Sequence, residues 1–193
     1  MILPHHSIWP KIHETAFVAP SSDIIGDVEI GSHSSIWFQC VIRGDVHFIK
    51  IGAGTNIQDH SILHVTREHS PLYIGNEVTV GHRVTLHGCR IGNRILIGMG
   101  SIIMDNAIIE DECIIGAGSL ITQNKKFPPR SLIFGNPAKL IRELTSEELT
   151  YLQKSAENYV KDAENYRSFV RGPVKLGRND LDLENLDVDQ EGV

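Results

Sequence analysis

Ten of the 193 residues are histidine, and three of them are spaced as metal ligands would be. His64 and His87 each directly follow a leucine, Leu63 and Leu86, and His82 stands five residues before His87. A neutral imidazole offers one ring nitrogen to zinc, iron or cobalt and keeps the other for a hydrogen bond. Two such rings serve one ion only if the backbone brings them to the same place, and the elements that carry them decide whether it does.

Those elements are written in a six-residue repeat. Ile12, Val18, Ile24, Ile30, Ile36 and Ile42 recur every six residues, and Ile51, Ile57 and Leu63 resume the series after a three-residue slip. Ile74, Val80 and Leu86 follow a longer insertion; one residue is then lost, and Ile91, Ile97, Ile103, Ile109, Ile115 and Ile121 complete the ladder. A period of six suits neither a helix at 3.6 residues per turn nor simple two-residue alternation, but it suits a short strand plus a tight corner. Three units make one triangular coil, so the ladder predicts about six coils of a parallel β-helix, an all-β solenoid whose rungs point inward. Small residues four places after a rung, such as Ser101, Ala107, Cys113 and Ser119, fit crowded corners. Glycines that follow a rung, Gly31, Gly52, Gly75, Gly92, Gly98 and Gly116, are expected to supply backbone angles that other residues resist.

On this frame Leu63 and Leu86 are both third rungs of their coils, so His64 and His87 project from one face of adjacent coils about 4.8 Å apart. His82 follows a second rung, with up to ~16 Å of extended chain between it and His87. That is too far for easy shared ligation, and a neighbouring subunit could supply the third ligand.

The solenoid is expected over residues 1–143, with its ladder in 12–121 and a closing coil after it. Thr145 and Glu148 then form a capping-box pattern, Leu144 and Leu149 are placed for a hydrophobic staple, and Leu149, Leu152, Ala156, Tyr159, Ala163 and Tyr166 trace one helical face. The spacing predicts a C-terminal helix over 145–170 lying along the solenoid. Residues 171–193 carry six acids after Arg178 and few apolar side chains, the composition of a flexible tail. The formal charge of −6 gives no reason to expect nucleic-acid binding. Cys40, Cys89 and Cys113 make no CxxC pair, and no apolar run reaches the ~20 residues of a membrane helix, so a cytoplasmic protein without membrane contact is expected.

Five blocks go beyond the ladder: Val41-Ile42-Arg43-Gly44-Asp45-Val46, Asn56-Ile57-Gln58-Asp59, Leu63-His64-Val65, Gly81-His82-Arg83-Val84-Thr85-Leu86-His87-Gly88 and Gly135-Asn136-Pro137. With them the chain, from roughly Ile12 to Phe169, resembles the γ-class carbonic anhydrase-like hexapeptide-repeat proteins of compact bacterial type. The resemblance implies a left-handed β-helix homotrimer with metal sites between subunits, each using His64 and His87 of one chain and His82 of the next. It implies zinc, with iron(II) or cobalt able to occupy the same ligands, and reversible hydration of carbon dioxide to bicarbonate by a metal-bound hydroxide. By the same resemblance Arg43, Asp45 and Asp59 form a charged network at the subunit interface, Gln58 orients the bound water, Asn56 supports it, and Tyr159 matches a tyrosine near the site. The family's long acidic loop is reduced here to Val65–Tyr73, where Glu68 and His69 are titratable, and Val46 rather than a glutamate follows Asp45.

Plainer readings stand beside these. His5, His6, His13, His33, His47 and His60 read as surface residues, Arg43, Asp45 and Asp59 as a structural ion-pair network, Gln58 as a corner hydrogen-bonder, and the helix tyrosines as packing. Three function classes follow: a metal-dependent lyase, a coenzyme A-dependent acyltransferase with a histidine base, and a trimeric module whose metal is structural.

Overall fold

The computed structural model describes residues 1–171; the acidic tail lies, from residue 172 on, outside the described residues. Within them the chain winds into a parallel β-solenoid of about seven turns, with one C-terminal helix packed along it. Every rung stands in one of three inward columns. Ile12 pairs in register with Ile30, and Ile51, Ile74, Ile91, Ile109 and Phe127 follow. Val18 leads through Ile36, Ile57, Val80, Ile97 and Ile115 to Ile133. Ile24 leads through Ile42, Leu63, Leu86 and Ile103 to Ile121. Burial of these aliphatic columns, from which water is excluded almost completely, is the main stabilising term. Cys40, Cys89 and Cys113 are buried with them and unpaired, and burial pushes the Cys40 and Cys113 thiols up to about 11 and the Cys89 thiol further, so all three are packing residues.

The glycines that follow rungs do a different job from the one expected. Gly31, Gly52, Gly75 and Gly92 have no positive φ; a Cβ on Gly52 would lie 2.6 Å from the Gly75 carbonyl, and one on Gly75 2.4 Å from that of Gly92. Close stacking of successive coils excludes a side chain there. The left-handed corner positions are instead filled mostly by polar residues, among them His33, His60, Arg83, Asn106 and Asn124.

All three breaks in the period fall at one corner. The slip lies within the strand Val41–Ile51, which runs across the corner with a register shift opposite Gly26 and Val28. The insertion is a tight turn closed by a bridge between Thr66 and Ser70, and the lost residue falls at Gly88, with φ +53°. The rungs just before these breaks are Ile42, Leu63 and Leu86, each followed by Arg43, His64 or His87.

The helix α1 spans Ser146–Arg171, one residue past the expected limit. Its capping box is formed: the Thr145 amide donates to Glu148 Oε2 at 2.9 Å and the Glu148 amide to Thr145 Oγ1 at 3.3 Å. Leu152, Ala156 and Ala163 are buried against the solenoid face that holds Phe17, Ser35, Asn56 and Thr79. Trp37 is the anchor, with Tyr159 and Tyr166 meeting it edge-on at centroid distances of 5.7 and 5.0 Å. Among the described residues no helix is long and apolar enough to cross a membrane.

Candidate metal centre

His64 and His87 are register partners on adjacent coils, and their rings converge as the repeat requires, with Nδ1 of His64 3.1 Å from Nε2 of His87. The other nitrogen of each ring is held by a carboxylate. His64 Nε2 lies 3.0 Å from Asp45 Oδ1, and His87 Nδ1 lies 3.1 Å from both oxygens of Asp105. Ionised carboxylates only accept, so each neutral ring directs its N–H at its carboxylate. Two lone pairs are then left facing each other, an arrangement that repels until a cation lies between them. Burial, opposed by the Asp45 contact, holds His64 below the ordinary imidazole range and so favours the neutral, ligating form. The 3.1 Å spacing is close to that of two nitrogens on one tetrahedral ion, about 3.3 Å for metal–nitrogen distances of ~2.0 Å. The donor set fits a divalent transition metal.

The supporting shell is built as finely as the pair. Asp45 also receives the Arg43 guanidinium, and Asp105 receives the Thr66 hydroxyl at 2.6 Å. Burial resists ionisation of both carboxyls, but these donors and the two rings hold them below their ordinary range. Asp105 and Thr66 carry no sequence signal of their own. They reach the site through register, 18 and 21 residues from His87, and only a coil-by-coil alignment of the ladder could have found them.

His82 does not join the pair. Among the described residues no set of three His, Cys, Asp or Glu side chains is arranged to hold a metal within one chain. Its Nδ1 lies 2.8 Å from Asp59 Oδ2, leaving Nε2 open and the ring 43% exposed. Asp59, Arg43 and Asp45 therefore do not form one network inside the chain: Asp59 orients His82, while Arg43 and Asp45 serve His64.

His82 borders a cavity of about 430 Å³ that also takes in Gln58, Thr79, Tyr151, Ser155 and Tyr159. The cavity exists because Gly81, Gly98 and Gly116 occupy the outward positions where Gln58 and Trp37 stand in earlier coils. Gln58 is buried and donates through Nε2 to Asn56 Oδ1 at 3.2 Å. Tyr159 is half-buried, and burial, followed by the nearby carboxylates of Asp162 and Asp59, pushes its hydroxyl above the ordinary tyrosine range. Elsewhere His5, His6 and His47 border a separate recess with Asp27, and His33 and His60 are corner residues.

Residues 88–123 match the family described as bacterial transferase hexapeptide (six repeats). The mitochondrial gamma carbonic anhydrase 2 of Arabidopsis thaliana is 42% identical over 193 residues, covering 92% of this chain and 69% of that protein. A carbonic anhydrase of Geobacillus kaustophilus is 46% identical over 168 residues, 87% of this chain and 92% of that protein. The crystal structure of a hexapeptide transferase family protein from Anaplasma phagocytophilum matches with a TM-score of 0.83 at 45% identity, covering 86% of this chain and 98% of that one.

Proposed function

The chain belongs to the γ carbonic anhydrase family of hexapeptide-repeat proteins, and from that premise we propose that it is a metal-dependent carbonate dehydratase, hydrating carbon dioxide reversibly to bicarbonate. The observation that carries this reading is the pair of facing, carboxylate-held nitrogens on His64 and His87. The third ligand is His82 of a neighbouring copy, whose open Nε2 and partly exposed ring suit it to bridge subunits. A homotrimer supplies three such sites. Ile62 and Ile102, nearly half exposed in the strand column beside the histidine pair, give that association an apolar surface. Zinc is the expected ion, with iron(II) and cobalt able to use the same nitrogens.

A divalent ion held by His64, His87 and the neighbouring copy's His82 would keep its full charge on uncharged ligands and would supply hydroxide near neutral pH as the nucleophile for carbon dioxide. The chain's own residues do the rest. Asp45, Asp59 and Asp105 fix the tautomer and orientation of the three rings. Gln58, tied to Asn56, would orient the attacking oxygen, and Tyr159 borders the cavity that would admit the substrate. Unpaired cysteines agree with a reducing compartment, the cytoplasm.

Stopped-flow hydration of carbon dioxide by anaerobically purified protein, with metal content measured and zinc, iron(II) or cobalt restored, tests the reading. Turnover that follows metal loading and vanishes in His87→Ala is the expected result. Bound metal without turnover in every loading would overturn it and leave a structural metal in its place.

A further inference from the structure

Gln58 has an amide whose two ends differ chemically, and the fold decides which end meets the cavity. The decision begins at a backbone carbonyl, which can only accept. Asn56 Nδ2 donates to Val78 O at 3.4 Å and to Thr79 Oγ1 at 3.1 Å. That fixes Asn56 Oδ1 on the opposite side, where it accepts from Gln58 Nε2 at 3.2 Å. Among the described residues Gln58 Oε1 takes no hydrogen bond and no buried side-chain polar atom lacks a partner, so this oxygen opens on the cavity. Thr79 Oγ1 in turn lies 3.1 Å from Ser155 Oγ, on α1. Asn56, Gln58 and Thr79 are nearly fully buried.

We infer that Thr79 and Ser155 are positioning residues that hold the Asn56–Gln58 amide relay in the polarity set by the Val78 carbonyl, so that Gln58 presents a hydrogen-bond acceptor to the cavity. The relay crosses from one coil to the next through the register pair Asn56 and Thr79 and then to the helix, which makes the docking of α1 part of the site. An acceptor there holds a donor, the O–H of water or hydroxide, and disfavours an oxyanion such as the bicarbonate product. Turning both amides round would set an N–H toward the cavity and favour product retention.

The inference uses the carbonate dehydratase reading only for its kinetic arm, and the test has an arm that does not. In the full-length protein loaded with zinc, the side-chain amide protons of Asn56 and Gln58 are followed by NMR exchange. Thr79→Val, nearly isosteric but without the hydroxyl, is expected to speed their exchange about tenfold, and Thr79→Ser to restore protection. Carbon dioxide hydration by Thr79→Val is expected to fall about tenfold in kcat with metal content unchanged, in the range of other outer-shell substitutions. Ser155→Ala, which removes one more distant hydrogen bond, is expected to cost about two- to threefold. Unchanged amide exchange in Thr79→Val overturns the inference, as does a loss that Thr79→Ser fails to rescue. A wild-type protein without turnover removes the dehydratase reading while the exchange measurement still decides the relay.

Discussion

The coils from Val41 to Gly88 and those from Ile91 to Ile121 share one inward column pattern, yet only the first set carries histidine. In the later coils the strands are two residues long, the rungs are all isoleucine, and the residue after the third rung is Met104 or Thr122. In the earlier coils that position holds Arg43, His64 and His87, and the corner beyond it is stretched, looped or shortened. The rungs set where a side chain leaves the surface; the irregular corner provides Asp45, which orients His64, and Thr66, which holds the Asp105 that orients His87. Regularity gives stability, and local departures from it give a site.

This contrast can be broken from either side. Ile103→Ala, in the regular part and fully buried, should lower the unfolding free energy by about 2–5 kcal/mol while leaving metal content intact, measured by urea denaturation at fixed protein concentration. His87→Ala should do the reverse: a hundredfold or greater loss of hydration with loss of bound metal, at little cost in stability because the ring is partly exposed. Met104→Ala, the next position in that column, should leave turnover within about twofold of wild type. If it matches His87→Ala instead, the division between the two regions fails.

Asp105→Asn sharpens the contrast, since this residue belongs to the coil after His87 yet acts on it. It should weaken metal binding about 10–100-fold, read by chelator competition. The smallest effect concerns the helix cap. Arg142 and the Thr145 amide hold the Glu148 carboxyl down to about 2 from an ordinary 4.5. A depressed acid contributes stability that is present in full above 4.5 and is lost as pH falls through about 2. Amide exchange in the first turn of α1 should accelerate across that window, and Glu148→Gln should remove the dependence.

The inward columns, the capping box and the convergence of His64 with His87 were legible because each follows from a period or a short local pattern. The corner chemistry was legible only as a disturbance of the period. Asp105, Thr66, Thr79 and Ser155 were not, because each partner lies one or more coils away and ordinary polar residues at such positions carry no mark of their own. The glycines misled for a related reason. Their requirement comes from the neighbouring coil at 2.4–2.8 Å rather than from their own backbone angles, and a single chain segment does not display its neighbour. Gln58 and Asn56 were legible as a motif, whereas the direction of their amides depended on Val78 and Thr79.

The hairpin that closes the solenoid also has a meaning for assembly. Strand Ala138–Glu143 pairs antiparallel with Ser131–Gly135, the only antiparallel strand pair among the described residues. Another molecule approaching this edge end to end meets a strand of opposite direction that carries Lys139, Arg142 and Glu143, where a continuing parallel coil would have offered a matching template. On this face the repeat ends in a terminator, and the same ladder that makes the body easy to extend by duplication is kept from extending into a filament.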